Sequence, residues 1–303
     1  MKWEKLGLVF CPDGTRPWAA HSALQPTPIV LDDRIRVFAG MRDAAGVSSV
    51  GWVDLDRADP ARIVGQCERP ALTPSLPGTF DENGVVPCAV VEHGGELRLF
   101  YAGYQLGHRV RFTVFGGVAV STDRGVTFER VRRVPVLERA DEALLFRVAH
   151  TVLHEQGIWR VWYGAGSEFR EGSSKPLPVY DIRYMESKDG LTFPDHGEIA
   201  VPIRGNEYRV GRPYVIRRGD GYLMFYGAST EENLYRLGYA ESADGRTWTR
   251  RDEDIGIDVS LSGWDSEMIA YPSVVTAQDR TYLFYNGNDY GRAGFGCAVL
   301  TQW

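Results

Sequence analysis

The 303-residue sequence lacks several features that would point to a particular class of protein. Its four cysteines are far apart and never in a CxxC spacing, which favours buried free thiols over a zinc site or a disulfide framework. No window approaches the roughly 18 apolar residues of a membrane span. The opening MKWEKLGLVF has no apolar stretch of signal-peptide length. We therefore expect a soluble, cytoplasmic protein with no membrane partner.

Charge and periodicity exclude two further classes. The 34 basic and 40 acidic residues give a net charge of -6, and no block is rich in Lys or Arg, so nucleic acid is not an expected partner. Helical periodicity is almost absent beyond a turn or two. With 44% hydrophobic residues the chain can bury a full core, and that core is expected to be built from strands.

An internal repeat is the most informative feature that is present. Each unit is a short apolar strand, a polar turn and a second strand that ends in an aromatic residue close to a glycine. The five units are "TPIVLDDRIRVFAG", "VPCAVVEHGGELRLFYAG", "HTVLHEQGIWRVWYGAG", "RPYVIRRGDGYLMFYGAS" and "YPSVVTAQDRTYLFYNGN". Their closing aromatics, Phe38, Tyr101, Tyr163, Tyr226 and Tyr285, are 63, 62, 63 and 59 residues apart.

Three units continue into a third strand and a tight turn, in "GVAVSTDRGVTFERV", "RYMESKDGLTFPDH" and "GYAESADGRTWTRR". There the Asp caps the turn, Gly takes a positive φ and the aromatic residue anchors the next strand. Such repeats predict an all-β fold, a five-bladed β-propeller with four-stranded antiparallel blades and a single domain over residues 1–303. The last unit lacks a fourth strand, so we expect the N-terminal "KWEKLGLVF" to close the last blade.

In such a ring, residues before each first strand and after each second strand meet at one mouth of the axial funnel. A mouth lined by acids, imidazoles, guanidiniums and amides suits a polyhydroxylated ligand, including an anionic one. The candidates are His21, Asp81, Glu82, His150, Arg209, Arg212, Asp265 and Glu267 before first strands, and Arg42, Asp43, Tyr104, Glu168, Glu231, Asn286, Asn288 and Asp289 after second strands. Tyr104, Trp264 and Tyr271 could stack on a sugar ring.

The five units and their S-x-D-G-x-T-F/W turns resemble the five-bladed glycoside hydrolases that include arabinanases, xylosidases, invertases and levansucrases. The stretches "FDENGVVPCAVV", "RPYVI", "YRLGYAESADGRTW" and "DIGIDVSLSGWDSEMIAYP" are most similar to uncharacterised glycosidase-like proteins of bacterial sugar-metabolism gene clusters. The resemblance covers nearly the whole chain. It implies a glycoside-active enzyme, a hydrolase or transglycosidase, with a small saccharide or sugar conjugate as its partner.

The chain departs from those hydrolases at all three carboxylates that the resemblance implies. The first unit begins "AAHSALQPTP" without an acid, the third has His150, and the fourth has Arg212 with Glu207 farther upstream. We therefore predict Glu267 as general acid/base and Asp81 or Glu82 as nucleophile or base. The predicted substrate-binding residues are Asp265, His150, Arg212, Arg209, His21, Arg42, Asp43, Tyr104, Glu168, Tyr271 and Asn288.

Each of these residues also has a structural interpretation. Asp81 could begin a turn, Asp265 and Glu267 could bond neighbouring loops, and Arg212 could pair with a carboxylate of the fold or bind an anionic group of a ligand. Two alternatives to glycoside chemistry follow: a catalytically silent carbohydrate-binding propeller, and a propeller enzyme with non-glycosidic chemistry. No cofactor or metal ligand set is predicted, although carboxylates and amides from several units leave a funnel-bound calcium open. The oligomeric state is not predicted.

Overall fold

Strands account for 57% of the chain and helix for 2% in the computed structural model, which describes residues 1–172 and 175–303. The all-β prediction is confirmed. Among the described residues, helix is confined to a 3-10 turn at Asp252–Asp254 and a short segment at Asn288–Gly291. Within the described ranges no helix is long and apolar enough to cross a membrane.

Hairpin connections of a few residues between the strands alternate with longer segments, such as residues 67–84, 131–145 and 251–269. In chain order the first ten are β1 (Lys2–Phe10), β2 (His21–Val30), β3 (Arg34–Arg42), β4 (Ser48–Asp56), β5 (Ile63–Gln66), β6 (Val85–His93), β7 (Glu96–Leu106), β8 (Phe112–Ser121), β9 (Glu129–Arg130) and β10 (Phe146–Glu155). The remaining ten are β11 (Ile158–Arg170), β12 (Leu177–Ser187), β13 (Glu198–Val201), β14 (Glu207–Arg218), β15 (Gly221–Thr230), β16 (Arg236–Ser242), β17 (Thr249–Arg250), β18 (Ala270–Ala277), β19 (Arg280–Asn286) and β20 (Phe295–Gln302).

Antiparallel pairing joins these strands in groups of four. The groups are β2-β3-β4-β5, β6-β7-β8-β9, β10-β11-β12-β13, β14-β15-β16-β17 and β18-β19-β20-β1. Short parallel pairings of β8 with β10 and of β12 with β14 merge the middle three groups into one twelve-stranded sheet. The first strands of the groups contact one another in a closed cycle, β2 to β6, β10, β14, β18 and back to β2.

The N-terminal segment completes the last group, as the sequence predicts. Strand β1 pairs antiparallel with β20, with Trp3 opposite Leu300 and Leu8 opposite Gly296. The Trp3 indole also donates to the Ile255 carbonyl at 2.9 Å. The edge of β20 is thereby covered, which removes an unpaired row of backbone groups.

The predicted turns form as expected. The Asp123 carboxylate accepts from the Thr127 amide and hydroxyl, and Asp189 and Asp244 do the same for the amides two and three residues on. Gly125 in the first of these turns has a φ of 82°, which is open to glycine without strain. These hydrogen bonds lower the pKa of Asp189, and its carboxylate therefore stays ionised as a turn cap.

The closing aromatic of each second strand lies in the core. All five, Phe38, Tyr101, Tyr163, Tyr226 and Tyr285, are at most 1% exposed. They pack between neighbouring groups of strands, as Phe38 does against Leu97 and Leu99. Burying an aromatic side chain of this size stabilises a fold by about 2 to 3 kcal/mol, so the repeat marks the main packing positions.

The first strands share an irregularity that turns side chains inward. Each of the five has a shift of register against its second strand. In three of them the shift falls at a residue before proline with a left-handed backbone, namely Gln25 (φ 53°), Arg212 (φ 54°) and Tyr271 (φ 56°). Such a backbone costs free energy for a residue with a side chain, and it is typical of positions where a side chain is aimed for function.

Candidate functional site

A cavity of about 310 Å³ lies where the first strands meet. This volume falls at the lower end of the range for small-molecule sites, about 300 to 1,000 Å³. The lining residues are Leu24, Gln25, Arg42, Val86, Ala102, Tyr104, Arg111, Phe112, Val114, Phe146, Val148, His150, Gly164, Lys175, Leu177, Pro178, Tyr180, Arg209, Arg212, Tyr235, Tyr271 and Tyr290. All five groups of strands contribute residues to this lining.

The charge of the lining is of one sign. Its cationic side chains are Arg42, Arg111, Lys175, Arg209 and Arg212, and its described members include no Asp or Glu. None of these five cations forms an ion pair with a carboxylate of residues 1–172 or 175–303. The chain as a whole carries a net charge of -6, so this cavity is positive in an acidic protein.

Arg212 is the most deeply buried of these cations, at 2% exposure. Its guanidinium donates to the Cys88 carbonyl on β6 and, at 2.9 Å, to the Thr27 hydroxyl on β2. It therefore joins three first strands around the axis. The Nε group is buried without a partner among the described residues. Burial lowers the pKa of Arg212, but a guanidinium remains charged at any physiological pH.

A cluster of tyrosines surrounds Arg209, which is 5% exposed. The guanidinium carbon lies 4.1 Å from the Tyr235 ring centre, and Nη2 donates to the Tyr290 hydroxyl at 3.3 Å. The Tyr180 and Tyr235 hydroxyls are hydrogen-bonded to each other. Burial raises the pKa of Tyr235, so its phenol stays protonated and offers a neutral hydrogen-bonding group to a ligand.

His150 lines the same cavity from β10, at the register shift between Ala149 and Thr151. Burial, together with the nearby Arg212 cation, holds the pKa of His150 well below its ordinary value. The ring is therefore neutral near pH 7, with one nitrogen able to donate and the other to accept. Its Nδ1 has no partner within the described chain, which leaves it available to a ligand hydroxyl.

The structure brings six of the predicted binding residues into this cavity, namely His150, Arg212, Arg209, Arg42, Tyr104 and Tyr271. Arg42 comes from the end of β3, and the described structure gives its buried Nε no hydrogen-bond partner. The Tyr104 side chain is enclosed by neighbours, and burial raises the pKa of its phenol. These residues carry hydrogen-bonding and stacking groups but no carboxylate.

The three predicted catalytic carboxylates are not among the lining residues. Asp81 is fully buried and pairs with Arg130 at 2.7 Å. Glu82 accepts from the Gly78 amide at 2.7 Å and the Gln105 amide at 3.1 Å, and these bonds lower the pKa of Glu82. Glu267 is exposed, and its backbone amide donates to the Asn288 side chain at 2.8 Å. Their catalytic roles stay predictions.

The other five predicted binding residues also lie outside the lining. Asp265 is 2% exposed and pairs with Lys5 at 2.7 Å. Asn288 holds the loop before β18 through its bond to the Glu267 amide. Asp43 accepts hydrogen bonds from the Ala45 and Val47 amides. The Nδ1 of His21 lies 2.7 Å from the Ser22 hydroxyl, and Glu168 is exposed.

A recurring arrangement accounts for two of these acids. In four groups of strands, the tyrosine that closes the second strand donates its hydroxyl to an acid that is also paired with a basic residue. The sets are Tyr101 with Asp81 and Arg130, Tyr163 with Glu142 and Arg183, Tyr226 with Asp252 and Arg250, and Tyr285 with Asp265 and Lys5. We call each set a tyrosine–acid–base triad. In these triads Asp81 and Asp265 connect segments of the fold, and neither belongs to the cavity lining.

Several lining residues are not foreseen from the sequence. They are Gln25, Arg111, Lys175, Tyr180, Tyr235 and Tyr290. Lys175 lies between β11 and β12, and Tyr180 lies on β12 itself. Arg111 donates to the Pro176 carbonyl at 3.2 Å. Gln25 does have a sequence signal: it precedes a proline in a first strand, like Arg212 and Tyr271, and all three have the left-handed backbone.

No group of three or more His, Cys, Asp or Glu side chains suited to a metal ion occurs in the described part of the chain. The cavity itself offers one imidazole surrounded by cations, a donor set that repels a metal cation. The arrangement is suited instead to binding hydroxyl groups and negative charge.

Comparison with known proteins identifies relatives over the full length. The chain is 36% identical to the uncharacterized protein Rv1502 of Mycobacterium tuberculosis over 303 residues, covering 99% of each chain. It is 23% identical to a 1,2-beta-oligomannan phosphorylase of Thermoanaerobacter sp., covering 77% of this chain and 95% of that one. No family model matches the sequence.

Solved structures establish the fold. A β-1,2-mannobiose phosphorylase from Listeria innocua superposes with a TM-score of 0.73 at 14% identity, covering 98% of this chain and 96% of that one. A thermostable family-43 glycoside hydrolase superposes with a TM-score of 0.71 at 16% identity, covering 93% and 90%. The antiparallel sheets are thus those of a β-propeller-like glycosidase fold. Within that fold, the chain belongs to the same family as Rv1502 of Mycobacterium tuberculosis.

Proposed function

We propose that this protein is a glycoside-active enzyme that acts on a small saccharide or sugar conjugate in the cavity where the first strands meet. The observation that carries the proposal is the cavity itself. Hydrogen-bonding and aromatic side chains from every group of strands line it, and it lies where the first strands of the repeats meet.

We further propose that residues 1–303 form one five-bladed propeller domain. The groups of four antiparallel strands would be the blades, and the closed cycle of contacts among β2, β6, β10, β14 and β18 would be the ring around the axis. The pairing of β1 with β20 supports closure of that ring. In this arrangement the first strands are innermost, which explains why all of them reach the cavity.

Sugar recognition follows from the lining. Neutral His150 and the hydroxyls of Tyr180, Tyr235 and Tyr290 can exchange hydrogen bonds with ligand hydroxyls, and aromatic faces can pack against the apolar side of a sugar ring. The names of two similar proteins agree with this class of ligand: one is a 1,2-beta-oligomannan phosphorylase and the other a β-1,2-mannobiose phosphorylase. A mannoside or related small saccharide is accordingly the first substrate to test.

The proposed catalytic carboxylates are not members of the cavity lining. Cleavage by two carboxyls requires them to flank the scissile bond, at about 5 Å for retention or 6.5 to 9.5 Å for inversion. For the predicted pair, Glu267 with Asp81 or Glu82, to act on a bound sugar, the scissile bond would have to reach beyond the lining to these carboxylates. Glu82 is the more accessible of the two acids, because it is only half-buried, whereas Asp81 is fully buried and paired with Arg130.

A second candidate is a carbohydrate-binding propeller without catalysis. The observation that favours it is the absence of Asp and Glu from the described lining residues. Binding needs only hydrogen-bonding groups, whereas general acid/base chemistry at a sugar usually needs a carboxyl with a shifted pKa.

Product detection by mass spectrometry separates the two. The protein is incubated with aryl glycosides, β-linked manno-oligosaccharides and nucleotide sugars, each with and without inorganic phosphate. The variants are Tyr235→Phe in the cavity, Glu267→Gln in the predicted pair, and Tyr222→Phe as a matched control. Tyr222 bonds Glu155 and lies outside the lining.

The proposal predicts turnover by the wild type, retained in Tyr222→Phe and reduced at least tenfold in Tyr235→Phe. Loss of turnover in Glu267→Gln with retained sugar binding would assign the carboxylate. Sugar binding with no product from any substrate would contradict the enzymatic proposal and favour the second candidate.

A further inference from the structure

We infer that the ligand of this cavity carries an oxyanion, a phosphate or carboxylate group, that binds against Arg212 and Arg42. This inference rests on the proposed function, because it names the substrate class of the same cavity. A cavity that binds only neutral saccharides would need no such excess of cations.

The positive charge of the cavity is not balanced by carboxylates of the described chain. Five cationic side chains share one cavity, and none is paired with a carboxylate of the described chain. Elsewhere buried arginines are paired: Arg36 with Asp54 at 2.7 Å and Arg147 with Glu142 at 3.5 Å. A buried charge without a counter-ion is unfavourable, because burial removes its hydration. An anionic ligand would supply the missing counter-ion.

Several buried nitrogen atoms of the lining have no hydrogen-bond partner among the described residues. Arg212 is 2% exposed, and its Nε is buried without a partner in the described structure, although its other nitrogens are bound to β2 and β6. Arg42, from the end of β3, likewise has a buried Nε without a partner. The His150 Nδ1, on β10, is also buried without a partner in the described structure. A polar atom left unsatisfied when buried costs free energy, and such atoms commonly mark a ligand position.

The other cations of the lining add to the positive charge around these donors. Arg209 is fixed by the Ser229 hydroxyl at 3.1 Å and by tyrosines, so it adds positive charge from a set position. Lys175 and Arg111 are exposed members of the lining. Buried cations together with exposed ones would attract an anion and then hold it.

Two sources could provide the oxyanion. It could be part of the saccharide, as in a sugar phosphate or a uronic acid, or it could be inorganic phosphate bound beside a neutral sugar as a second substrate. Both place the same chemistry against the same arginines. The experiment has arms for each source.

Isothermal titration calorimetry on the full chain tests the inference. The probes are inorganic phosphate, mannose 1-phosphate, mannose 6-phosphate, glucuronate, and the neutral sugars mannose and β-1,2-mannobiose, each at low and high salt. The variants are Arg42→Gln and Arg209→Gln, with Arg133→Gln as the control. Arg133 is exposed and outside the lining, so this change removes an equal charge elsewhere. Arg212→Gln is added if it folds, because its present bonds also join strands.

The inference predicts that at least one anionic probe binds at least tenfold more tightly than its neutral counterpart, that affinity falls with salt, and that Arg42→Gln weakens it at least tenfold while Arg133→Gln does not. Binding of a sugar phosphate or glucuronate without inorganic phosphate assigns the oxyanion to the saccharide. Binding of inorganic phosphate, with neutral sugar binding enhanced in its presence, assigns it to a second substrate.

Failure of every anionic probe to bind, or equal binding of neutral and anionic sugars in wild type and Arg42→Gln, would overturn the inference. Turnover of a neutral saccharide without phosphate would at the same time leave the proposed function standing. The two proposals can therefore fail separately.

Discussion

Lys5 and Asp265 form an ion pair at 2.7 Å across 260 residues of sequence. Lys5 lies on β1, and Asp265 lies in the loop before β18, so the pair fastens the N-terminal strand to the group of strands that it completes. Asp265 also accepts from the Tyr285 hydroxyl at 3.0 Å. A carboxylate that the sequence suggests for the funnel thus belongs to a tyrosine–acid–base triad.

Asp265→Asn should lower the free energy of unfolding by about 2 to 3 kcal/mol, since it leaves Lys5 unpaired at a mostly buried position. Urea denaturation measures this, with exposed Asp195→Asn as the control, which should change stability by less than about 0.5 kcal/mol. The Lys5→Met, Asp265→Leu double variant should cost less than the sum of the two single changes. Wild-type stability combined with loss of sugar binding would instead place Asp265 in the site.

Tyr101→Phe should cost about 1 kcal/mol of stability, because Asp81 loses one hydrogen bond but keeps its Arg130 partner. The same change at Tyr285 should have a similar effect. Phe38 occupies the equivalent position in the first group without any hydroxyl, which shows that the ring packs well alone. If Tyr101→Phe abolished turnover while stability stayed the same, Asp81 would have the catalytic role that the sequence suggests.

Stability should fall with acid below about pH 6.5 because of His150. Its pKa is lowered in the folded state, so the unfolded chain binds the proton first and stability is lost as the pH falls below the unfolded value. One such proton corresponds to at most about 1.4 kcal/mol per pH unit. Unfolding of wild type and His150→Gln at pH 7.5 and 5.5 measures the difference, with exposed His108→Gln as the control. Equal pH slopes in the wild type and His150→Gln would contradict the assigned environment.

Much of the fold can be predicted because its signals are local and repeated. The Ser-x-Asp turns are capped within a few residues, as Asp123 and Thr127 show. The aromatic residues that close the second strands pack at the same place each time, and the missing fourth strand of the last unit predicts the pairing of β1 with β20. Each of these features depends on neighbours in sequence or on the period.

The site can be predicted only in part, because position in the repeat does not fix the direction of a side chain. Arg212 and Tyr271 turn inward at register shifts beside proline, whereas Asp81 and Asp265, also placed before first strands, turn toward tyrosines and basic partners. Those partners come from other strands. The tyrosine–acid–base triad is visible only when the tyrosine of each second strand is considered as a hydrogen-bond donor.

Some lining residues escape prediction for another reason. Tyr180 lies on β12 and Tyr235 directly before β16, and their hydroxyls are hydrogen-bonded to each other at the cavity. Neither tyrosine stands before a first strand or directly after a second strand, so the repeat does not single them out. Their contribution to the lining depends on how the folded groups are arranged around the axis.

The most direct test of the central claim is a crystal structure of the wild-type protein with mannose 1-phosphate. The account predicts sugar density in the cavity between β2, β6, β10, β14 and β18, with the phosphate within hydrogen-bond distance of Arg42 or Arg212 and a sugar hydroxyl against His150. Density for the sugar beside Glu267 on the outer surface, with the cavity occupied by water alone, would contradict it.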